Sequence, residues 1–215
     1  SHRGHEGGRR ARHVGSEKRR LMAAALYVVR HGECEHNVAK RIAAQNDSPL
    51  TANGRAQARE GGRILRDLVF ALDDLDFYAS SLHRAASTME ILREAAGLPP
   101  TGYVADRRLM EINFGDHTGL TWAQVQTAAG ADPKWTSDPW NYTHPHGESL
   151  ADVHARAVDF LSGLKRDSVI VTHAGPVRII RGILLGLSQS ETIQYHPPHH
   201  GVLRFANGGE AFFGE

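Results

Sequence analysis

Residues 25–29, ALYVV, are a short run of β-branched and aromatic side chains that stops abruptly at the polar string Arg30-His31-Gly32-Glu33. This change of character constrains the fold more than any other feature, because it reads as a buried strand ending in a polar loop. It recurs twice. Residues 75–79 end at Ser80-Ser81, and 169–171 flow into Thr172-His173-Ala174-Gly175. Helical patterns fill the intervals. Thr51 can cap a helix in which Ala56, Ile64, Leu65, Leu68 and Val69 recur at three- and four-residue spacings through about 72. Residues 84–96 carry Met89, Leu92 and Ala96 at helical spacing with Gly97 as a stop, and 149–164 place Val153, Ala157, Phe160, Leu161 and Leu164 on one side. A further apolar helix is expected over 177–187, and 202–205 with 211–213 can pair as a terminal hairpin around Asn207-Gly208-Gly209. Strands alternating with helices predict a three-layer α/β/α sandwich with a mainly parallel central sheet, which collects its ligands at the carboxyl ends of the strands.

Charge divides the chain in two. Residues 1–21 hold seven basic and two acidic side chains, a surplus of +5, so the other 194 residues carry 18 basic against 22 acidic, a net −4. A nucleic-acid-binding domain would show its basic footprint on the folded part, so nucleic acid is not an expected partner. Residues 1–21 read as a leader, and 22–215 as a single domain with a small cap-like insertion near 119–147. Arg19 and Arg20 before the apolar residues 22–29 resemble the start of a signal peptide, but the run is short and no small-residue cleavage site follows. No apolar stretch approaches the roughly 18 residues that span a bilayer, so no membrane association is expected. The single cysteine, Cys34, excludes an internal disulfide and points to a reducing, cytoplasmic setting.

Three predicted strands end in related chemistry: Arg30-His31 after the first, residues 81–84 after the second, and His173 after a late one. In a parallel sheet these ends share one edge. Two imidazoles and two guanidiniums there describe an anion pocket, and phosphate suits planar arginine forks. A neutral imidazole is a competent nucleophile near pH 7, whereas a serine would need an activating base.

Arg30-His31-Gly32-Glu33 followed by Asn37 resembles the RHGE-x-x-x-N signature of the histidine phosphatase superfamily, in its phosphoglycerate mutase-like branch. Five further motifs, in order, extend the likeness over about 25–185. They are Leu50-Thr51 with Gly54 and Gln57-Ala58; Ser81-Leu82-His83-Arg84-Ala85; Leu109 with Glu111-Ile112 and Gly115; Gly147-Glu148-Ser149; and Thr172-His173-Ala174-Gly175. The resemblance implies phosphomonoester hydrolysis through a phosphohistidine on His31. It also implies Glu111 as general acid, and Arg30, Asn37, Arg84 and His173 as ligands of the phosphoryl oxygens. The expected partner is a small phosphorylated metabolite, with no cofactor and no metal, as in an acid or neutral phosphatase. The apolar residues 202–213 suit either an edge hairpin or a homodimer contact. The alternatives are mutase-type phosphoryl transfer and a catalytically inactive phosphate-binding protein.

Departures from the pattern carry expectations too. Cys34 stands where the family usually has serine or threonine, which suggests sensitivity to oxidants. His117-Thr118-Gly119 replaces a tryptophan-glutamate-glycine and removes a second carboxylate, leaving Asp116 or Glu33 as substitutes for Glu111. Fourteen histidines, among them His144, His146, His196, His199 and His200, invite a metal reading, but prolines interrupt these clusters and no familiar ligand spacing is present. A mutase needs extra cations over its site, and residues 119–147 offer one lysine, Lys134, beside Trp122, Trp135, Trp140 and Tyr142. That composition favours a phosphatase acting on a monoester with a ring or apolar portion.

Overall fold

A computed structural model describes residues 24–214, so the leader expected over 1–21 lies outside the described residues. Six strands are found among the described residues, β1 (Leu26–Arg30), β2 (Asp76–Ser80), β3 (Val104–Asp106), β4 (Ser168–Thr172), β5 (Val202–Ala206) and β6 (Gly209–Phe213), arranged β3-β2-β4-β1-β5-β6. β3, β2, β4 and β1 run parallel, and β5 and β6 add an antiparallel hairpin beside β1. The sheet is therefore mixed, with its parallel part where the three polar-ended strands lie. Register aligns their ends, since Arg30 faces Thr172 and Ala79 faces Val171.

Alternation along the strands builds the layers. Leu26, Val28 and Ile170 point to one face and meet α4 (Leu150–Ser162) and α5 (Ala174–Leu185) through Phe160, Leu161, Ile179 and Ile180. Tyr27, Val29, Val169 and Val171 point to the other and meet α1 (Ala52–Leu68) and α2 (His83–Ala95) through Leu65, Met89 and Leu92. Each such side chain removed from water contributes about 1.5–3 kcal/mol. With both faces covered, β4 is buried at every position, which is why these strands read as uninterrupted apolar runs.

Several boundaries differ from the sequence reading for local reasons. α5 begins at Ala174, directly after His173, because Gly175 and Pro176 occupy the first turn, where a missing N–H costs nothing. It ends at Gly186, whose φ of 67° is the left-handed stop. α1 ends at Leu68. The three-residue edge strand β3 and the helix Gln189–Gln194 are additions. Residues 119–147 contain α3 (Trp122–Ala129) and a one-turn helix, Lys134–Ser137; Trp135 and Trp140 pack partly buried while Trp122 stays exposed. With α3 labelled, the helix Gln189–Gln194 is α6.

Two glycines of α1 separate helix propensity from close approach. A Cβ at Gly54 would collide with the backbone of Glu33, so only glycine lets α1 start against the loop after β1. A Cβ at Gly61 would meet only Leu92 Cδ1, at an ordinary 3.5 Å. Alanine gains up to about 1 kcal/mol over glycine inside a helix, whereas overpacking against backbone costs about 1–3 kcal/mol. Gly61→Ala is therefore expected to raise the denaturation midpoint or leave it unchanged, and Gly54→Ala to lower it. Equal shifts in thermal melts of the two variants would contradict the close-approach reading.

Candidate active site

His31 follows β1 directly and is buried. Its Nδ1 lies 2.7 Å from the carbonyl oxygen of Gly32, and its Nε2 lies 3.3 Å from Nε of Arg84. A carbonyl only accepts and a guanidinium N–H only donates. Both contacts therefore select one tautomer, with the proton on Nδ1 and the lone pair on Nε2. Burial, then the charges of Arg84 and Arg30, hold the imidazole well below its usual 6.5. The ring is neutral at pH 7.

Arg84 owes its position to its neighbours in the chain. It lies in the first turn of α2, whose leading amide at His83 donates to Asp47 at 2.8 Å. The loop before Asp47 bends through Ala44, at φ 48°, and presents two carbonyls to the guanidinium: Nη2 donates to Ala44 at 2.6 Å and Nη1 to Asn46 at 2.8 Å. The side chain is almost wholly buried, at 1% exposure, and burial lowers its pKa. Nε is thereby held on His31.

His173 caps α5 from the end of β4, fully buried, with its ring centroid 5.0 Å from that of His31. Its Nε2 contacts Oγ of Ser80 at 2.7 Å, and its Nδ1 has no partner. Arg30 donates through Nη1 to the Pro197 carbonyl at 2.7 Å, its Nε is unpartnered, and burial brings its pKa down to about 10, so it stays charged. Asn37 accepts at Oδ1 from the Cys34 amide and thiol, which leaves its NH2 as the group to donate. Glu111 accepts at Oε1 from the amides of Ile112 at 3.0 Å and Gly175 at 3.1 Å.

All six residues singled out in the sequence thus gather at the carboxyl edge of the sheet, and five of them, Arg30, His31, Asn37, Arg84 and Glu111, line one cleft of about 1090 Å³. His173 is not among the lining residues, but its ring lies beside that of His31, 5.0 Å between centroids. The motif around Thr51 and Gln57 serves the same loop: Thr51 Oγ1 donates to Glu33 Oε1 at 2.7 Å, and Gln57 Oε1 accepts from the Glu33 amide at 2.8 Å.

Other expectations are corrected. Glu33 is therefore occupied with Thr51, and Asp116 pairs with His146 on an exposed surface at 3.1 Å, so neither substitutes for Glu111. Cys34 is fully buried with its thiol donating to Asn37, a packing and positioning role that does not fit an oxidant-sensitive group. The histidines scatter: His144 meets His117 at 2.8 Å, and His199 donates through Nδ1–H to the His31 carbonyl at 2.9 Å. Among the described residues no three histidine, cysteine or carboxylate side chains converge as a metal site. The cations around the cleft beyond Arg30 and Arg84 come from outside 119–147, namely Lys40, Arg41 and Arg178. Ser80 and Arg178 escaped the sequence reading as site residues, and His199 entered it only among the histidines weighed for a metal. Ser80 ends a predicted strand and could have been found there; Arg178 and His199 carry no local signal.

The arrangement can seat a tetrahedral dianion between two guanidiniums and offer an imidazole lone pair to its centre, which defines a phosphoryl-transfer site built on histidine. The chain belongs to the histidine phosphatase superfamily (branch 1), whose family pattern matches residues 26–212. It is 28% identical over 190 residues to the putative phosphoserine phosphatase 2 of Hydrogenobacter thermophilus, covering 86% of this chain and 90% of that one. It is 33% identical over 171 residues to the probable phosphoglycerate mutase GpmB of Erwinia tasmaniensis, covering 75% of each. Among solved structures it resembles a mycobacterial glucosyl-3-phosphoglycerate phosphatase, with a TM-score of 0.70, 30% identity, and coverage of 84% of this chain and 89% of that one.

The neutral buried histidines link stability to pH. His144 and His199 are held at about 4, chiefly by burial. A folded-state pKa below the unfolded 6.5 means that the unfolded chain binds more protons, so stability is present above 6.5 and lost as pH falls from there towards 4. Each residue should forfeit about 2 kcal/mol between pH 7 and pH 5. Chemical denaturation at both pH values is expected to show a clear loss at pH 5, smaller in His144→Phe. An unchanged midpoint would contradict the assigned protonation.

Proposed function

We propose that this protein hydrolyses a small phosphomonoester through a covalent intermediate on His31. The observation that carries the reading is the pair of contacts fixing the His31 lone pair on Nε2, beside a buried arginine. In the first step Nε2 attacks phosphorus and the ester P–O bond breaks, with Glu111 giving its proton to the departing alkoxide. In the second, water attacks the phosphohistidine, Glu111 takes the water's proton, the P–N bond breaks, and inorganic phosphate leaves His31 neutral again.

Arg30, Arg84, the Nδ1–H of His173 and the amide of Asn37 are assigned to the non-bridging oxygens. Phosphoryl transfer asks for positioning and charge stabilisation more than for bond-making groups. Two guanidiniums meet that need within the protein, so the proposal involves no metal. The lone buried thiol suits a reducing compartment, and we assign the cytoplasm on that ground.

Hydrolysis is preferred to mutase transfer for a reason other than the charge of residues 119–147. The outer wall of the cleft is apolar and aromatic, formed by Phe114, Trp122, Trp135, Tyr142 and His144, whereas Lys40 and Arg41 stand at its exposed rim. Arg41 is already committed to the Gly119 carbonyl at 2.7 Å. Such a wall fits a leaving group with a ring or apolar portion, in keeping with the ring-bearing ester in the name of the mycobacterial relative.

Steady-state hydrolysis of an aryl and an alkyl phosphate, in EDTA, tests the reading. His31→Ala is expected to lose at least about 1,000-fold in kcat on both substrates. Glu111→Gln should lose far more on the alkyl ester, whose alkoxide leaves poorly without a proton. Retained activity in His31→Ala, equal losses in Glu111→Gln, or phosphoglycerate interconversion faster than aryl phosphate hydrolysis would overturn the assignment.

A further inference from the structure

His173 can donate to a phosphoryl oxygen only if its proton sits on the right nitrogen, and its neighbours decide where that is. Burial, then the charge of Arg84, holds its pKa well below the usual 6.5. The ring is therefore neutral at pH 7, with a single proton on one of its two nitrogens. Nε2 lies 2.7 Å from Oγ of Ser80, and the buried Nδ1 has no partner. A hydroxyl both donates and accepts, so this contact alone fits either tautomer.

Two observations choose between them. Ser80 is fully buried at the end of β2, and its Oγ already accepts from the Leu82 amide at 3.3 Å. Among the described residues its side chain makes no hydrogen bond beyond these two. A serine that also accepted from Nε2 would strand its own proton in the core as an unpaired donor. A serine that donates to Nε2 strands nothing, and it puts the His173 proton on Nδ1. The second observation is that His173 occupies the N-cap of α5. A bare Nδ1 lone pair there would have the unpaired amides of a helix start to accept from, yet the side chain accepts from none of them.

Placement makes Ser80 a joint between two parts of the anion seat. Leu82 is the N-cap of α2, whose first turn carries Arg84, and His173 follows β4, which pairs with β2. One hydroxyl thus ties the end of β2 to both. With Nε2 turned to β2, Nδ1–H is the donor left for a ligand at His31, whose ring centroid is 5.0 Å away. A buried donor without a protein partner is costly, and an anionic oxygen completes it.

We infer that Ser80 is a positioning residue for phosphoryl transfer: by donating to Nε2 it fixes the His173 proton on Nδ1, where that proton meets a non-bridging oxygen. The inference rests on the proposed role of His173 at those oxygens. Every phosphomonoester carries them, so the contribution of Ser80 is the same whatever the leaving group. Glu111, which acts on the leaving oxygen, differs in this respect.

Nitrogen-15 NMR of histidine-labelled protein, joined to steady-state hydrolysis of p-nitrophenyl phosphate and an alkyl phosphate, tests it. Wild-type His173 is expected to show a protonated Nδ1 and a pyridine-like Nε2 at pH 7. Ser80→Ala should shift proton population to Nε2 and lower kcat/KM at least tenfold, by one factor on both esters. Complete loss of a transition-state donor sets the ceiling at about 100–1,000-fold. Ser80→Thr keeps the hydroxyl and should hold both readouts near the wild type. Ser80→Cys, a weaker donor, should fall between, and it serves where a thermal melt shows either other variant unfolded. A wild-type proton on Nε2 of His173 overturns the inference, as does Ser80→Ala with an unchanged tautomer or unchanged kcat/KM. A loss confined to the alkyl ester also overturns it, since that would make Ser80 a support of Glu111. Failure of the wider reading looks different: no His31-dependent turnover by the wild type contradicts phosphatase action itself, whereas the tautomer is read without turnover.

Discussion

The contact between Arg84 and His31 organises the rest of the site. A guanidinium buried beside an imidazole would ordinarily be costly, and the protein stabilises it by supplying the Ala44 and Asn46 carbonyls to its two outer nitrogens. That leaves Nε aimed at Nε2 of His31. Burial, helped by that positive charge, keeps the imidazole unprotonated, and the Gly32 carbonyl holds the remaining proton on the opposite nitrogen. In the proposed reaction this one interaction sets both nucleophile and anion seat, and a phosphoryl group brought against Arg84 meets a lone pair.

The surroundings serve this contact at increasing distance. Gly54 and Thr51 lock the start of α1 onto the loop that carries His31. Parallel pairing of β1, β4 and β2 brings residues more than 140 positions apart to one edge. Local chemistry must also overcome the bulk charge. Residues 22–215 carry a net −4, which mildly repels a phosphate dianion. In the proposed reaction attraction comes from the buried arginines, whose fields are poorly screened where water is excluded.

Much of this was legible in the sequence because it is periodic or locally concentrated. The strands that end in Arg30-His31 and His173 are short, apolar and sharply bounded, so both their burial and their polar ends could be read. The C-terminal hairpin carried its own turn signal in Asn207-Gly208. Other parts were not legible for equally physical reasons. β3 has three residues, two of them exposed, and shows no hydrophobic pattern. Gly175-Pro176 reads as a break but occupies a helix's first turn, where both residues are tolerated. Arg178 and His199 reach the site only through tertiary packing of α5 and of the segment after α6, which no local spacing encodes. The cap misled in one respect. Its own composition is poor in cations, yet the cleft draws cations from residues 40, 41 and 178.

Nitrogen-15 NMR of the imidazole side chains, on protein labelled at histidine, addresses the central claim most directly. The account predicts that His31 is neutral at pH 7, with its proton on Nδ1 and a pyridine-like shift at Nε2, and that this pattern persists as the pH is lowered through the ordinary imidazole value of 6.5. A proton on Nε2, or an imidazolium titrating near 6.5, would contradict it.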